Sequence, residues 1–563
     1  MKRFLLLTAV FAAAGTAFVA VTLPPAHRVL PTSSSDGTVP GILHVHTLRS
    51  DGRGTPDEIA AAAARAGLTF VVFTDHGDAT RTPDAPVYRS GVLCLDAVEI
   101  STTGGHYIAV DMPSAPYPIG GEARDVIEDV HRLGGFSIAA HPVSPKPALR
   151  WNEWTAPFDG LEWLNGDSEW RDEAPLTLAR VLFTYPWRDA GSLALLLDRS
   201  ELAMRRWDVL LSRRRVVALA AADAHGRVGF PADEPLQGRF SAPIPGYAPV
   251  FRTFSIAVPD VALSGNADAD AKALVNEIRQ GHVFSIVDAV AAPAAFAFSA
   301  TSGRQHAVAG EPLTIDGPVV LQIDVHGPPD ARVSIMKNGE RVHSQSGARI
   351  EYKAPAEAAI YRVEVDVPGA PGSPAVPWIV SNPIYVGRTA DVATIPPRPR
   401  ATRSVPLQGS MQNWTVEHSP ESQGAIDLTA TAAGVQRQAL FRYALSGLQS
   451  AGPYSGFVVP VENGLAEYDR MTFRIRSDRP MRISVQVRVP GAGDGERWHR
   501  SVVVDLTVRE VSVFFDEMTS SGPTRVPSPS LQDIRSMLFV VDTVNARVGD
   551  SGQFAVENLR LER

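Results

Sequence analysis

The chain has 563 residues, enough for about four domains at roughly 150 residues each. Hydrophobic residues at 44% and charged residues at 20% are globular values, and they exclude collagen, a coiled coil and a polytopic membrane protein. A formal charge of −8 argues against a dedicated nucleic-acid binder; a lone cysteine, Cys94, excludes an internal disulfide and a thiolate zinc site, so any metal falls to His, Asp and Glu.

Lys2 and Arg3 precede an apolar run from Phe4 to Leu23. This is the pattern of a secretory signal and, at this length, also of a single membrane anchor. Either reading of residues 1–23 expects the rest of the chain in the periplasm or outside the cell, held at the inner membrane if the segment stays uncleaved. Residues 24–40 read as a Pro/Ser linker.

From residue 41 short apolar runs alternate with helical segments, which reads as β/α units. The expected strands are Gly41–Thr47, Leu68–Thr74, Val92–Ile100, His106–Val110, Gly135–Ala140, Phe158–Leu164 and Val216–Ala222. Thr55-Pro56-Asp57-Glu58 offers an N-cap hydroxyl, a first-turn proline and a capping-box glutamate, and Gly67 ends the helix they open. Glu122 to Leu133 repeats the pattern, and one longer helical region is expected from Ser192 to Arg214. A strand at Thr253–Val258 and a helix at Asp270–Gln280 complete this module, 41–299. Cys94, inside a strand, reads as a small buried hydrophobe.

Beyond residue 299 the helical period fades. Val319–Val325, Ala331–Lys337 and Tyr361–Val367 alternate with period 2, and Asn338-Gly339 signals a hairpin turn. Residues 300–388 therefore read as a small β-sandwich, which resembles an immunoglobulin- or fibronectin-like module, 389–406 as a Pro/Arg linker, and 407–563 as a second all-β module with strands at Met471–Arg476, Met481–Val489, Arg500–Leu506 and Ser536–Val541.

Chemistry concentrates in the first module. His44 and His46 lie two apart on a strand, so period-2 geometry expects both on one face. Asp51 follows in the next loop, His76 follows Asp75 beyond the second strand, and Glu99 ends the third. His106 opens the fourth strand, His141 follows the fifth, and Asp223 and His225 follow the last. In a ring of β/α units the strand ends form one mouth, where such side chains would converge. Imidazole and carboxylate donors suit Zn²⁺, Mn²⁺ or Fe²⁺, and this many donors suit two or three ions.

These ordered motifs (His44-x-His46 with Ser50-Asp51-Gly52, Thr74-Asp75-His76, Glu99, His106, His141-Pro142 and Asp223-x-His225) resemble the PHP (polymerase and histidinol phosphatase) family. The resemblance implies a multidomain α/β protein: a distorted (β/α)₇ barrel, here followed by two all-β modules, with a trinuclear metal centre that hydrolyses phosphoesters. It implies ligand roles for His44, His46, Asp51, His76, Glu99, His106, His141, Asp223 and His225, with Glu99 bridging two ions. The expected chemistry is attack on phosphorus by metal-bound hydroxide, since a divalent ion brings the pKa of water from 15.7 to about 7. Glu99 and His225 are the catalytic expectations, with Asp75 a candidate acid for the leaving group.

Arg49, Lys146 and Arg227, with Arg81, neighbour the motifs and are candidates to hold phosphate. Glu162 and Asn165 sit at another strand end, either near substrate or capping the barrel. Trp151, Trp154, Trp163 and Trp170 either wall a cleft or pack internally. Residues 407–563 resemble a galactose-binding-like jelly roll of the kind found in carbohydrate-binding modules, with Trp414, Tyr454 and Trp498 as candidate sugar-stacking residues beside the plain reading as core aromatics. Asn413-Trp414-Thr415 matches a glycosylation sequon. The leading expectation is an exported phosphoesterase with β modules that meet carbohydrate or an envelope surface, and no nucleic-acid patch. The alternatives are a non-catalytic, metal-stabilised glycan-binding protein and a hydrolase of a non-phosphate ester.

Overall fold

The computed structural model describes residues 22–31, 37–230, 240–389, 398–407, 413–430, 437–491, 495–522, 524 and 526–563. Most of the expected N-terminal apolar segment, and linker residues 32–36 and 390–397, lie outside the described residues. Among the described residues no helix is long and apolar enough to cross a membrane. The chain divides into two compact units: Met1–Gly77 with Thr82–Pro113 and Ile127–Ile395, and Asp78–Arg81 with Ser114–Val126 and Pro396–Arg563.

The α/β region contains β1 (Val39–Val45), α1 (Pro56–Arg65), β2 (Phe70–Phe73), β3 (Val92–Asp96), β4 (Val98–Thr102), β5 (Gly105–Val110), α2 (Ala123–Arg132, whose first turn is counted with the second unit), β6 (Phe136–Ala139) and β7 (Gly160–Asn165). It continues with α3 (Pro175–Thr184), α4 (Asp189–Ala194), α5 (Glu201–Leu211), β8 (Val217–Ala221), β9 (Ser255–Val258), α6 (Ala267–Gln280) and β10 (Phe284–Ile286). Local chemistry sets these ends. The Thr55 hydroxyl accepts from Glu58 N while the Glu58 carboxylate accepts from Thr55 N, the full capping box. Asn266 caps α6, and Gly281 ends it at φ 84°, a conformation only glycine takes readily.

Two expected elements divide. Val92–Ile100 breaks at Ala97 into β3 and β4, which belong to different sheets. The helical region Ser192–Arg214 breaks between α4 and α5, because the Ser200 hydroxyl accepts from Ala203 N and starts a new helix. An unexpected helix, α3, precedes them, opened by Pro175 at its first position.

Strand pairing gives two sheets in place of one continuous ring. One runs β8-β7-β6-β5-β4, and β3-β2-β1-β9-β10 lie in order within the other. Pairs β1–β2, β2–β3, β6–β7 and β7–β8 are parallel. The sheets meet at two single bridges, Val45 with Ala224 and His76 with Glu99. Backbone bonds support both seams: Ala224 N to His44 O, His46 N to Ala224 O, Glu99 N to Asp75 O and Gly77 N to Glu99 O.

The expected boundary at residue 299 is no structural boundary. β10 pairs antiparallel with Ile379–Ser381 of the β-sandwich, so the α/β region and the sandwich share a 12-stranded sheet. Asn382 strengthens this junction: its side chain accepts from Ala218 N at 2.9 Å and donates to Ala218 O at 3.1 Å and Val283 O at 2.9 Å. Buried Arg362 makes a two-point pair with Asp208 of α5, both bonds 3.0 Å, and also meets Glu364, which Arg199 holds from its other side. In the hairpin of this module Asn338 and Gly339 both take positive φ, as the turn signal requires.

The second unit contains two six-stranded sheets. They enclose one core in which Phe441, Phe457, Phe473, Phe539 and Phe554 pack together. Trp414 stacks on Phe457 and Trp498 is fully buried, so both are core residues and not sugar platforms. Tyr454 is half-buried, with its hydroxyl toward Glu417 and the Arg497 guanidinium over its ring. Arg482 donates to Asp125 O and Arg547 to Asp78 within this unit.

Asn382→Ala strands two partners on Ala218 and one on Val283. It should lower the stability of the first unit by about 2–4 kcal/mol, read as a lower urea midpoint by intrinsic tryptophan fluorescence with an unchanged far-ultraviolet spectrum.

Candidate metal centre

All nine residues expected as metal ligands converge. Four groups have donor atoms within 4.8 Å of one another: His46, Asp51, His76 and His225; His44, Glu99 and His141; His44, His46 and Asp223; and His76, Glu99 and His106. They come from the ends of β1, β2, β4, β5, β6 and β8, at the two seams between the sheets.

Strand alternation does not explain the pairing of His44 with His46. The β1–β2 register shifts at His44, which takes φ 63°, so a bulge turns the side chain inward. His141 at φ 31° and Asp223 at φ 48° are also left-handed. Non-glycine residues rarely adopt this region, and they do so where surroundings over-determine them.

Glu99 is the hub. One oxygen lies 2.8 Å from His106 Nδ1 and 3.0 Å from His141 Nε2; the other lies 3.2 Å from His44 Nε2 and 3.3 Å from both His46 Nε2 and His76 Nδ1. Asp223 approaches His44 and His46 at 3.3 Å, and Asp51 approaches His225 at 3.1 Å. Burial opposes every charge here, yet the opposite charges prevail. His44 is raised well above the ordinary imidazole value by Asp223, Glu162 and Glu99, and His46 is pushed up to about 10 by Asp223 and Glu99. In turn His76, His44 and His106 hold Glu99, His225 and His76 hold Asp51, and His44, His46 and His225 hold Asp223 far below the usual carboxylate range.

A second layer orients the rings. His44 Nδ1 faces Glu162 at 2.6 Å, His141 Nδ1 donates to Leu149 O at 3.0 Å, and His225 Nδ1 donates to Asp223 O at 3.0 Å. Each bond places the proton on Nδ1 and turns the Nε2 lone pair toward the cluster. Glu162 also accepts from His141 N and Asn165 Nδ2, so both strand-end polar residues support ligands. Sequence reasoning missed Tyr247: its hydroxyl accepts from Arg53 N and Gly54 N and lies within bonding distance of His46 O and His225 O. No local pattern marks a tyrosine so distant in sequence. Gly52 permits this turn, since a Cβ there would lie 2.1 Å from His46 O.

The remaining expected site residues divide. Asp75 is buried, and its oxygens accept from Thr47 N, Thr47 Oγ1 and Ser50 Oγ, all at 2.7 Å. It shapes the 47–50 turn, and its carboxylate is not free to protonate a leaving group. Arg49 pairs with Asp84 and Asp96 and is thereby neutralised. Arg227 donates to Asp51 O at 2.8 Å and so stands beside the cluster. Half-buried Lys146 has no ion pair among the described residues. Trp151 and Trp163 are core, the latter donating to Ser285. Buried Cys94 has its thiol pushed up to about 11 by desolvation.

The donor set fits divalent cations. His46 Nε2 is buried, has no hydrogen-bond partner and points among carboxylates. Nine nitrogen and oxygen donors exceed the complement of a single ion, and their mix suits borderline metals.

No family model matches the chain. An uncharacterized protein of Methanocaldococcus jannaschii is 29% identical over 137 residues, which are 22% of this chain and 80% of that protein. Among solved structures, a two-domain protein from Bacteroides vulgatus containing a predicted PHP-like metal-dependent phosphoesterase aligns at 13% identity and a TM-score of 0.28, over 63% of this chain and 98% of its own. The family 11 carbohydrate-binding module of the cellulase Lic26A-Cel5E of Clostridium thermocellum aligns at 20% identity and a TM-score of 0.24, over 29% of this chain and 95% of its own. At these TM-scores the alignments carry no functional weight, and the reading below rests on the geometry.

Glu162→Gln should weaken the hold on His44 and His141 and lower metal affinity by about 10–100-fold. Metal retained after dialysis against a graded chelator series measures this; retention equal to the parent protein would refute the orienting role.

Proposed function

We propose that the chain is an exported metal-dependent hydrolase of phosphoester bonds, built on a distorted (β/α)₇ barrel. The observation that carries this reading is the convergence of nine imidazole and carboxylate residues, with the buried His46 Nε2 facing both Glu99 and Asp223 at 3.3 Å.

His44, His46, Asp51, His76, Glu99, His106, His141, Asp223 and His225 would hold two or three divalent ions. Such ions, when bound, lower the pKa of water and offset negative charge on phosphoryl oxygens. The chain's own residues do the rest. Glu162, Leu149 O and Asp223 O fix the tautomers, and Asp75 and Tyr247 hold the Thr47–Gly54 turn that presents Asp51. Arg227, beside Asp51, is placed to meet a phosphoryl oxygen. In hydrolysis the water oxygen bonds to phosphorus as its O–H bond breaks, the ester P–O bond breaks, and the departing alkoxide takes up the proton that the water gave up. Periplasmic or extracellular placement is supported by the basic-then-apolar N-terminus, and carbohydrate binding by the second unit remains a proposal that must rest on residues other than Trp414 and Trp498.

Metal analysis of the purified full chain with a panel of aryl phosphates and phosphodiesters tests the reading. The parent should contain about two or three ions and release product. Asp223→Ala and His46→Ala should each lower turnover at least about 100-fold with loss of metal and an unchanged far-ultraviolet spectrum. A metal-loaded protein inert toward the whole panel would overturn the proposal.

A further inference from the structure

Asp223 and His225 face two ways. Beside the clustered donors they also line a cavity of about 290 Å³, close to the small end of ligand pockets. Its other walls come from α3, α4 and neighbouring loops, through Leu178, Val181, Leu196, Val250 and Phe254. Val181, Leu193 and Leu196 form an apolar cluster of their own, with Leu178, Tyr185 and Val250 packed against it.

Arg227, Asp223 and His225 form the polar end of the wall, beside the clustered donors, and along the rest the polar side chains have partners, Thr253 Oγ1 donating to Pro249 O. Arg171 is paired to Asp167, which also accepts from Trp170 Nε1, and the Tyr185 oxygen accepts from Gly246 N. Away from that end a sugar or nucleobase would bring more hydrogen-bonding edges than the aliphatic walls can answer, a costly mismatch. An aliphatic chain would lose nothing there and gain by leaving water.

The apolar character continues outward. Leu182 lines the cavity yet is 58% exposed, and Leu176 at 85% and Trp187 at 57% extend the surface on and just after α3. Solvent-facing apolar residues grouped this way mark a binding surface. The same helix meets the chain leaving the apolar N-terminal run, through Arg180 Nε to Thr22 O at 2.9 Å.

We propose that the cavity holds the alkyl or acyl chain of the substrate, whose phosphoryl group lies on the His225 and Asp223 side. The substrate class is then an amphiphilic, lipid-like phosphoester that enters across the exposed face of α3. This rests on the phosphoesterase reading, which it narrows.

The test uses the metal-loaded full chain and n-alkyl phosphates from ethyl to decyl, below their micellar concentrations. Binding is followed by calorimetry and hydrolysis by phosphate release. Affinity should rise about two- to fourfold per added methylene until the cavity is full. Leu178→Trp and Val250→Phe, each checked for metal content and far-ultraviolet spectrum, should both flatten that dependence. Equal affinity along the series, with phosphate released from ethyl phosphate, would overturn the inference and leave the hydrolase reading intact. Chain-length dependence that survives both substitutions would overturn it as well, by placing the chain elsewhere. Chain-length dependence lost in both variants, without phosphate release from any ester, would support the cavity and sink the hydrolase reading.

Discussion

Everything around the site answers to one buried carboxylate. Glu99 is 1% exposed and stands within 3.3 Å of a nitrogen from each of five histidines. A charge so placed costs several kcal/mol unless it is closely partnered. The five partners come from four strands, β1, β2, β5 and β6, so satisfying Glu99 obliges those strands to meet there. The bridge between His76 and Glu99 joins the sheets at that point, and the bridge between Val45 and Ala224 joins them again between the two motifs with paired ligands. Electrostatics and sheet closure are therefore one constraint. The imidazoles and carboxylates hold one another's charge, which accounts for the raised histidines and the depressed acids.

That constraint is held in a backbone that resists it. His44, His141 and Asp223 each sit at positive φ, a cost of order 1–3 kcal/mol apiece. The compensation is local. His141 N donates to Glu162, and Ala224 N donates to His44 O while its own carbonyl accepts from His46 N. Each strained residue thus lies within a bonded seam or beside a buried carboxylate. Sites of this kind keep their shape because several independent bonds insist on it.

The ligands were legible because polar residues at the ends of apolar strands stand out against the pattern. His141 after Ile138-Ala139-Ala140, and Asp223 and His225 after the run 216–222, are of this kind. The reason for convergence was less legible. Alternation along β1 suggests a shared face, but the bulge at His44 breaks the alternation and aims the ring by another route. Tyr247 could not be found, since its role depends on a contact roughly 200 residues away and on no local period. The helix α3 escaped notice because Leu176, Leu182 and Phe183 face solvent, which spoils the one-sided stripe a helix normally shows. The joined sheet was hidden for a related reason. The apolar run Trp378–Val386 reads the same whether its neighbour lies within the sandwich or in the α/β region.

That joined sheet bears on how the protein can be handled. Because β10 takes Ile379–Ser381 as its neighbour, the sandwich is not a passenger that can be trimmed away. A fragment ending near residue 299 would present β10 as a bare apolar edge, the form of strand that recruits other chains into aggregates. It would also lose Asn382 from beside β8 and leave Asp208 without Arg362. The shared sheet makes the α/β region and its sandwich one unfolding unit, so a truncation meant to leave the site intact has to keep both.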